Sequence, residues 1–103
     1  MIDLKEISGI GEWAEEKRGD DVIYKVGDMA FLVMRPKTVE VRCDSKLSKV
    51  LQEKYESVME SRYFGRGGIE IVPSGQLEEG ELEDLVRLSY NLTKRKVEQA
   101  ENE

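Results

Sequence analysis

Residues 22–43, VIYKVGDMAFLVMRPKTVEVRC, decide the fold. Three short runs rich in β-branched and aromatic residues are separated by Gly27-Asp28 and by Arg35-Pro36-Lys37. A Gly-Asp pair between apolar runs suits a tight hairpin, since glycine tolerates the positive φ such a turn demands. Proline cannot donate to a ladder, so Pro36 belongs in the following turn. Residues 38–43 then alternate, with Val39, Val41 and Cys43 on one face and Thr38, Glu40 and Arg42 on the other. The pattern predicts a three-stranded antiparallel meander over 22–26, 29–35 and 38–43, with one face wet. In its first two strands Ile23, Ala30, Leu32 and Met34 fall on one face, and Val22, Tyr24, Phe31 and Val33 on the other. A sheet apolar on both faces needs a second cover, for which a partner chain is one source.

Downstream, Asp44 or Ser45 caps a helix predicted over 46–60, whose stripe is Leu47, Val50, Leu51, Tyr55, Val58 and Met59. Residues 61–68 read as a polar, aromatic and glycine-rich loop, 69–72 as a fourth strand and 73–75 as a turn. A last helix starts near Glu78, with acidic residues in its first turn and Lys94, Arg95 and Lys96 near its end, as the helix dipole favours. Leu82, Leu85, Val86, Ser89, Leu92 and Val97 mark its buried side, Ser89 hydrogen-bonding within the helix, and the tail frays from Glu98. Upstream, residues 3–18 read as a first helix, firmer over 11–18, with Trp13 anchoring it to the sheet and Gly19-Asp20-Asp21 ending it. The order is α-β-β-β-α-β-α. It implies a single α+β domain over 1–103, core about 11–97: a two-layer sandwich of an antiparallel sheet with helices on one face.

Composition removes several function classes. The chain has no histidine, so the Ser-His-Asp and Cys-His constellations and the commonest transition-metal ligand are missing. Its one cysteine, Cys43, cannot form an intramolecular disulfide and reads as a small buried apolar residue. The glycines at 65, 67 and 68 precede a strand, whereas a phosphate-cradling loop wants a helix start after it. The reading is non-enzymatic, with no catalytic residue, no cofactor and no small-molecule substrate. No apolar run reaches the roughly 20 residues of a membrane span, and residues 1–6 lack a signal-peptide layout, so a cytoplasmic protein with no membrane partner is expected.

Charge is uneven within the net −6: residues 25–66 carry +3, while 67–86 carry −6 with no basic residue. Lys25, Arg35, Lys37 and Arg42 lie on or beside the meander, and Arg62 and Arg66 flank Tyr63 and Phe64. Arginines beside aromatics can hold phosphate and stack a base, which makes Lys25, Arg35, Lys37, Arg42, Arg62, Tyr63 and Arg66 a candidate DNA-binding set. The plainer alternative is that Tyr63 and Phe64 plug the core edge and the arginines are solvated. A second alternative is an interaction module whose partner is another protein or itself. A third is weak metal binding by an acidic face, with Glu12 and Glu16 sharing one side of the first helix near Glu15, Asp20 and Asp21. A solvated acidic face explains that third pattern equally, and no residue is assigned as a metal ligand.

The stretch Arg62-Tyr63-Phe64-Gly65-Arg66-Gly67-Gly68-Ile69-Glu70-Ile71, followed by Gly75, Leu77, Glu81-Leu82 and Leu88-Ser89-Tyr90, resembles the MmcQ/YjbR family of small bacterial proteins. Tyr24-Lys25-Val26-Gly27 with Phe31 resembles its first hairpin, and Cys43-Asp44 its entry to the second helix. The similarity covers roughly residues 22–97. It implies a frataxin-like or secretion-chaperone-like α/β sandwich and DNA binding through a pair of β-hairpin wings. The chain departs from that pattern at Met29, where a lysine is frequent, and at Gly68, where a tryptophan is frequent. Its N-terminal segment is also shorter.

Overall fold

A computed structural model of the chain describes residues 2–73 and 75–101. After a short 3-10 turn, Leu4–Glu6, come strands β1 (Ala14–Arg18), β2 (Asp21–Val26), β3 (Met29–Met34) and β4 (Val39–Arg42). Helix α1 (Ser45–Lys54), strands β5 (Val58–Ser61) and β6 (Gly65–Ile71), and helix α2 (Glu79–Glu101) complete the chain. The six strands form one antiparallel sheet in the order β1-β2-β3-β4-β6-β5. The fold is α+β and the three meander strands pair antiparallel as expected, but the element order differs at two places.

Residues 14–18 are a strand, where a helix was expected. A run of Ala-Glu-Glu-Lys-Arg has no strand preference of its own; tertiary pairing overrides its helical leaning. The turn at Gly19-Asp20 folds it onto β2, setting Glu15 opposite Tyr24 and Glu16 opposite Ile23. There Glu16 meets Arg18 at 2.8 Å and Lys25 at 3.4 Å. Charged side chains on an edge strand also discourage pairing with a foreign strand.

The second difference is that α1 stops at Lys54. Tyr55 turns extended, and Val58 and Met59 leave the helix to pair with β6, Val58 opposite Ile71. Both residues fit a helical stripe by spacing; Val58 is β-branched and favours a strand, and Met59 follows it once a partner strand exists. Val50, expected in that buried stripe, is exposed. The glycine-rich segment is not a loop either. Gly65, at φ +61°, lets a three-residue turn (62–64) reverse the chain, and β6 starts there. At the other end α2 continues to Glu101, past the point where fraying was expected.

Both helices cover one face of the sheet. Leu47 and Leu51 from α1, and Leu82, Val86 and Tyr90 from α2, pack on Phe31, Leu32, Val39, Val41, Ile69 and Ile71. The core starts at Leu4 and Ile7, well before residue 11, and Trp13 packs at its margin. Tyr24 pairs with Leu32 but Lys25 with Ala30, so Phe31 is an extra residue in β3. This bulge changes the expected alternation: Phe31, Leu32 and Met34 face the helices, while Ile23, Ala30 and Val33 form a small cluster on the other face.

On that other face Ile23, Ala30 and Val33 are buried by the chain itself. Phe64 packs on Ile23, Ala30 and Val33. Gly68 makes room for it: a Cβ there would stand 2.6 Å from the Phe64 Cβ and 2.5 Å from the Val41 carbonyl. Beside the cluster, Glu40 and Glu70 are direct cross-strand partners and both are buried, contrary to the expected wet face. Like charges so placed repel unless each is matched. Glu40 accepts hydrogen bonds from Arg35 Nε, Ser61 Oγ (2.7 Å) and the Tyr63 N–H (2.9 Å), and Arg35 also reaches Asp21. Glu70 accepts two from Arg62 (2.9 and 2.7 Å) and one from Thr38 Oγ1.

The Arg62 hydrogen bonds hold the Glu70 carboxyl below its ordinary 4.5, against the opposing effect of burial. A depressed folded pKa contributes stability that is present above the unfolded pKa and lost as pH falls through the folded value. Arg62→Gln is therefore expected to lower the urea midpoint slightly at pH 7, with the difference from wild type shrinking as pH falls below 4.5 and through the lowered folded value. The effect stays small because Arg62 is 66% exposed and its charge is screened.

Candidate anion-binding cleft

The end of β4, the start of β6, the C-terminal half of α2 and the start of α1 meet at one end of the sheet, and Arg42 is fixed at their junction. Its backbone N–H donates to Ser89 Oγ (2.7 Å), which in turn donates to the Phe31 carbonyl (2.5 Å). Phe31 and Arg42 come next beyond the Leu32–Val41 pair of β3 and β4, so the Ser89 hydroxyl spans the two strands where the ladder would otherwise continue. Ser89 thus bonds to the sheet, rather than within its own helix as expected from sequence. The Arg42 guanidinium donates from Nε to Thr93 Oγ1 (3.1 Å) and from Nη2 to the Ala30 carbonyl (3.0 Å), and lies 4.8 Å from the Phe64 ring centroid. Burial lowers its pKa.

Next to this guanidinium is a cleft of about 390 Å³ lined by Arg42, Arg66 and Lys96, with Asp44, Ser45 and Leu92. The three cations come from β4, β6 and α2. Among the described residues, none of them has a carboxylate within the 4.0 Å of an ion pair. The Asp44 carboxylate caps α1 by accepting from the Leu47 N–H (2.8 Å). Cys43, in the same wall, is no nucleophile at neutral pH, since burial pushes its thiol up to about 11.

Of the seven residues expected from sequence, the structure brings Arg42 and Arg66 together and sets Tyr63 close by. Tyr63 is 41% exposed, its ring edge-on to Phe64 at 4.9 Å. Lys25 is engaged by Glu16, Arg35 by Asp21 and Glu40, and Arg62 by Glu70. Lys37 lies elsewhere, on a separate cavity of about 970 Å³ lined chiefly by apolar residues such as Ile2, Tyr24, Met34 and Leu77. The sequence reading missed Lys96, which it assigned to helix-end electrostatics. Ser89, Thr93 and Lys96 recur at four- and three-residue steps, so they share the helix face that meets Arg42.

The acidic-face alternative loses its premise, because residues 14–18 are extended and Glu12 and Glu16 share no helical face. Among the described residues, no group of three or more acidic or thiol side chains is placed to hold a metal ion. No helix among them is long and apolar enough to cross a membrane. Compared with known proteins, the chain matches no family model, no curated protein and no solved structure.

Proposed function

We propose that this domain binds nucleic acid without catalysis, holding a backbone phosphate in the cleft between Arg42, Arg66 and Lys96. The observation that carries this reading is the charge accounting. Lys25, Arg35 and Arg62 are each paired with a carboxylate, whereas the cleft gathers three cations that have none within ion-pair distance among the described residues. A cleft of about 390 Å³ has room for a phosphate. The resemblance to MmcQ/YjbR proteins supports the same class of ligand. Ser89 and Cys43 are both buried, the first engaged between backbone groups.

Three phosphate-directed cations on a protein of net charge −6 imply weak, salt-sensitive binding. With a single-stranded ligand, neutralising about three phosphates gives a log–log salt slope of about −2, or roughly a 20-fold loss of affinity between 50 and 200 mM salt. Fluorescence anisotropy with labelled oligonucleotides measures this directly. The double variant Arg66→Glu, Lys96→Glu is expected to weaken binding by more than tenfold and to flatten the salt slope. Lys37→Glu, at the other end of the sheet, should leave affinity within about twofold. Equal affinity for the cleft variant and the wild type would refute the site.

A further inference from the structure

We infer that the preferred ligand is a single strand, one of whose bases stacks on Tyr63 while its phosphate lies in the Arg42–Arg66–Lys96 cleft; this rests on the phosphate reading above. Only three large hydrophobic side chains are exposed among the described residues, and Tyr63 is one of them. It is an exposed aromatic side chain held in place. Its ring meets Phe64 at 74°, and the Phe64 ring lies beneath the Arg42 guanidinium, so two ring contacts connect the exposed residue to a cation of the cleft.

The backbone that carries the ring is fixed as firmly. The Tyr63 N–H donates to the fully buried Glu40, and the Phe64 N–H donates to Ser61 Oγ (2.8 Å), whose own hydroxyl is held by the same carboxylate. The turn is therefore set before a ligand arrives, which reduces the ordering cost of binding. A rigid exposed ring beside a cation-lined cleft suits a nucleotide: a planar base for the ring and a charged group for the cleft. Bases of a duplex are already stacked on each other and present only their edges in the grooves. Tyr63 can therefore add affinity only for an unpaired base, and three cations alone give a duplex little.

The test compares labelled dT12 with a 12-base-pair duplex at 50 mM salt, using wild type, Tyr63→Leu and Tyr63→Phe, each first checked for an unchanged thermal midpoint. Wild type is expected to bind dT12 at least tenfold more tightly than the duplex. Tyr63→Leu, which keeps bulk but removes the π face, should lose about tenfold on dT12 and nothing on the duplex, and Tyr63→Phe should restore single-strand binding. If wild type binds both ligands through Arg66 and Lys96 with equal affinity, or Tyr63→Leu binds dT12 as wild type does, the stacking inference fails while the phosphate reading stands. If neither ligand binds at 50 mM salt, both fail together.

Discussion

Glu40→Ala is expected to destabilise the domain by about 4 kcal/mol, the loss typical of removing one partner from a buried ion pair. The carboxylate has no solvent exposure and satisfies Arg35, Ser61 Oγ and the Tyr63 N–H together. Removing it leaves these donors facing a void on the covered sheet face. The Arg35 guanidinium keeps only Asp21. At about 4–8 °C per kcal/mol for a domain near this size, the melting midpoint should fall by some 15 °C or more. Urea unfolding should show a lower midpoint with an unchanged slope. Glu40→Gln keeps one oxygen acceptor and should lose less. A change under 1 kcal/mol for the alanine variant would mean that the network is ornamental.

Ser89→Ala, which removes a single oxygen, is expected to cost about 3 kcal/mol. Leaving a buried donor or acceptor unsatisfied costs about 1–3 kcal/mol each, and here both the Arg42 N–H and the Phe31 carbonyl lose their partner. The Arg42 amide should also exchange with solvent faster than its neighbours in β4. If the strands can close and pair Arg42 directly with Phe31, the loss will instead be under 1 kcal/mol and Arg42 will stay protected. That result would refute the bridging role assigned to Ser89.

These two residues also show where sequence reading reached and where it stopped. Alternation over 38–43 was legible, and it correctly set Val39 and Val41 against Glu40 and Arg42. It could not reveal that the Glu40 side is buried, because the cover comes from Phe64 and Arg35, whose positions depend on a hairpin and a turn elsewhere. Period alone placed Val58 and Met59 on a helix; their strand pairing needs β6, which itself depends on Gly65 reversing the chain. Residues 14–18 carry no strand signal of their own, so only the turn at Gly19-Asp20 and the pairing with β2 make them extended. The Phe31 bulge is likewise invisible in hydrophobicity, since every residue around it is apolar.

The candidate site was half legible for the same reason. Basic residues near aromatics identified Arg42, Tyr63 and Arg66, yet the same criterion also picked Lys25, Arg35 and Arg62, which are engaged by carboxylates distant in sequence or across a strand pair. Sequence gives the cations; only the fold shows which of them remain free to meet a ligand.

The most direct measurement is an amide chemical-shift titration of labelled protein with dT12 at low and moderate salt. The account expects shifts gathered on residues 42–45, 63–67 and 92–96, shrinking as salt is raised. Shifts that instead centre on residues 20–24, 34–39 or 72–82, or no shifts at low salt, would contradict it.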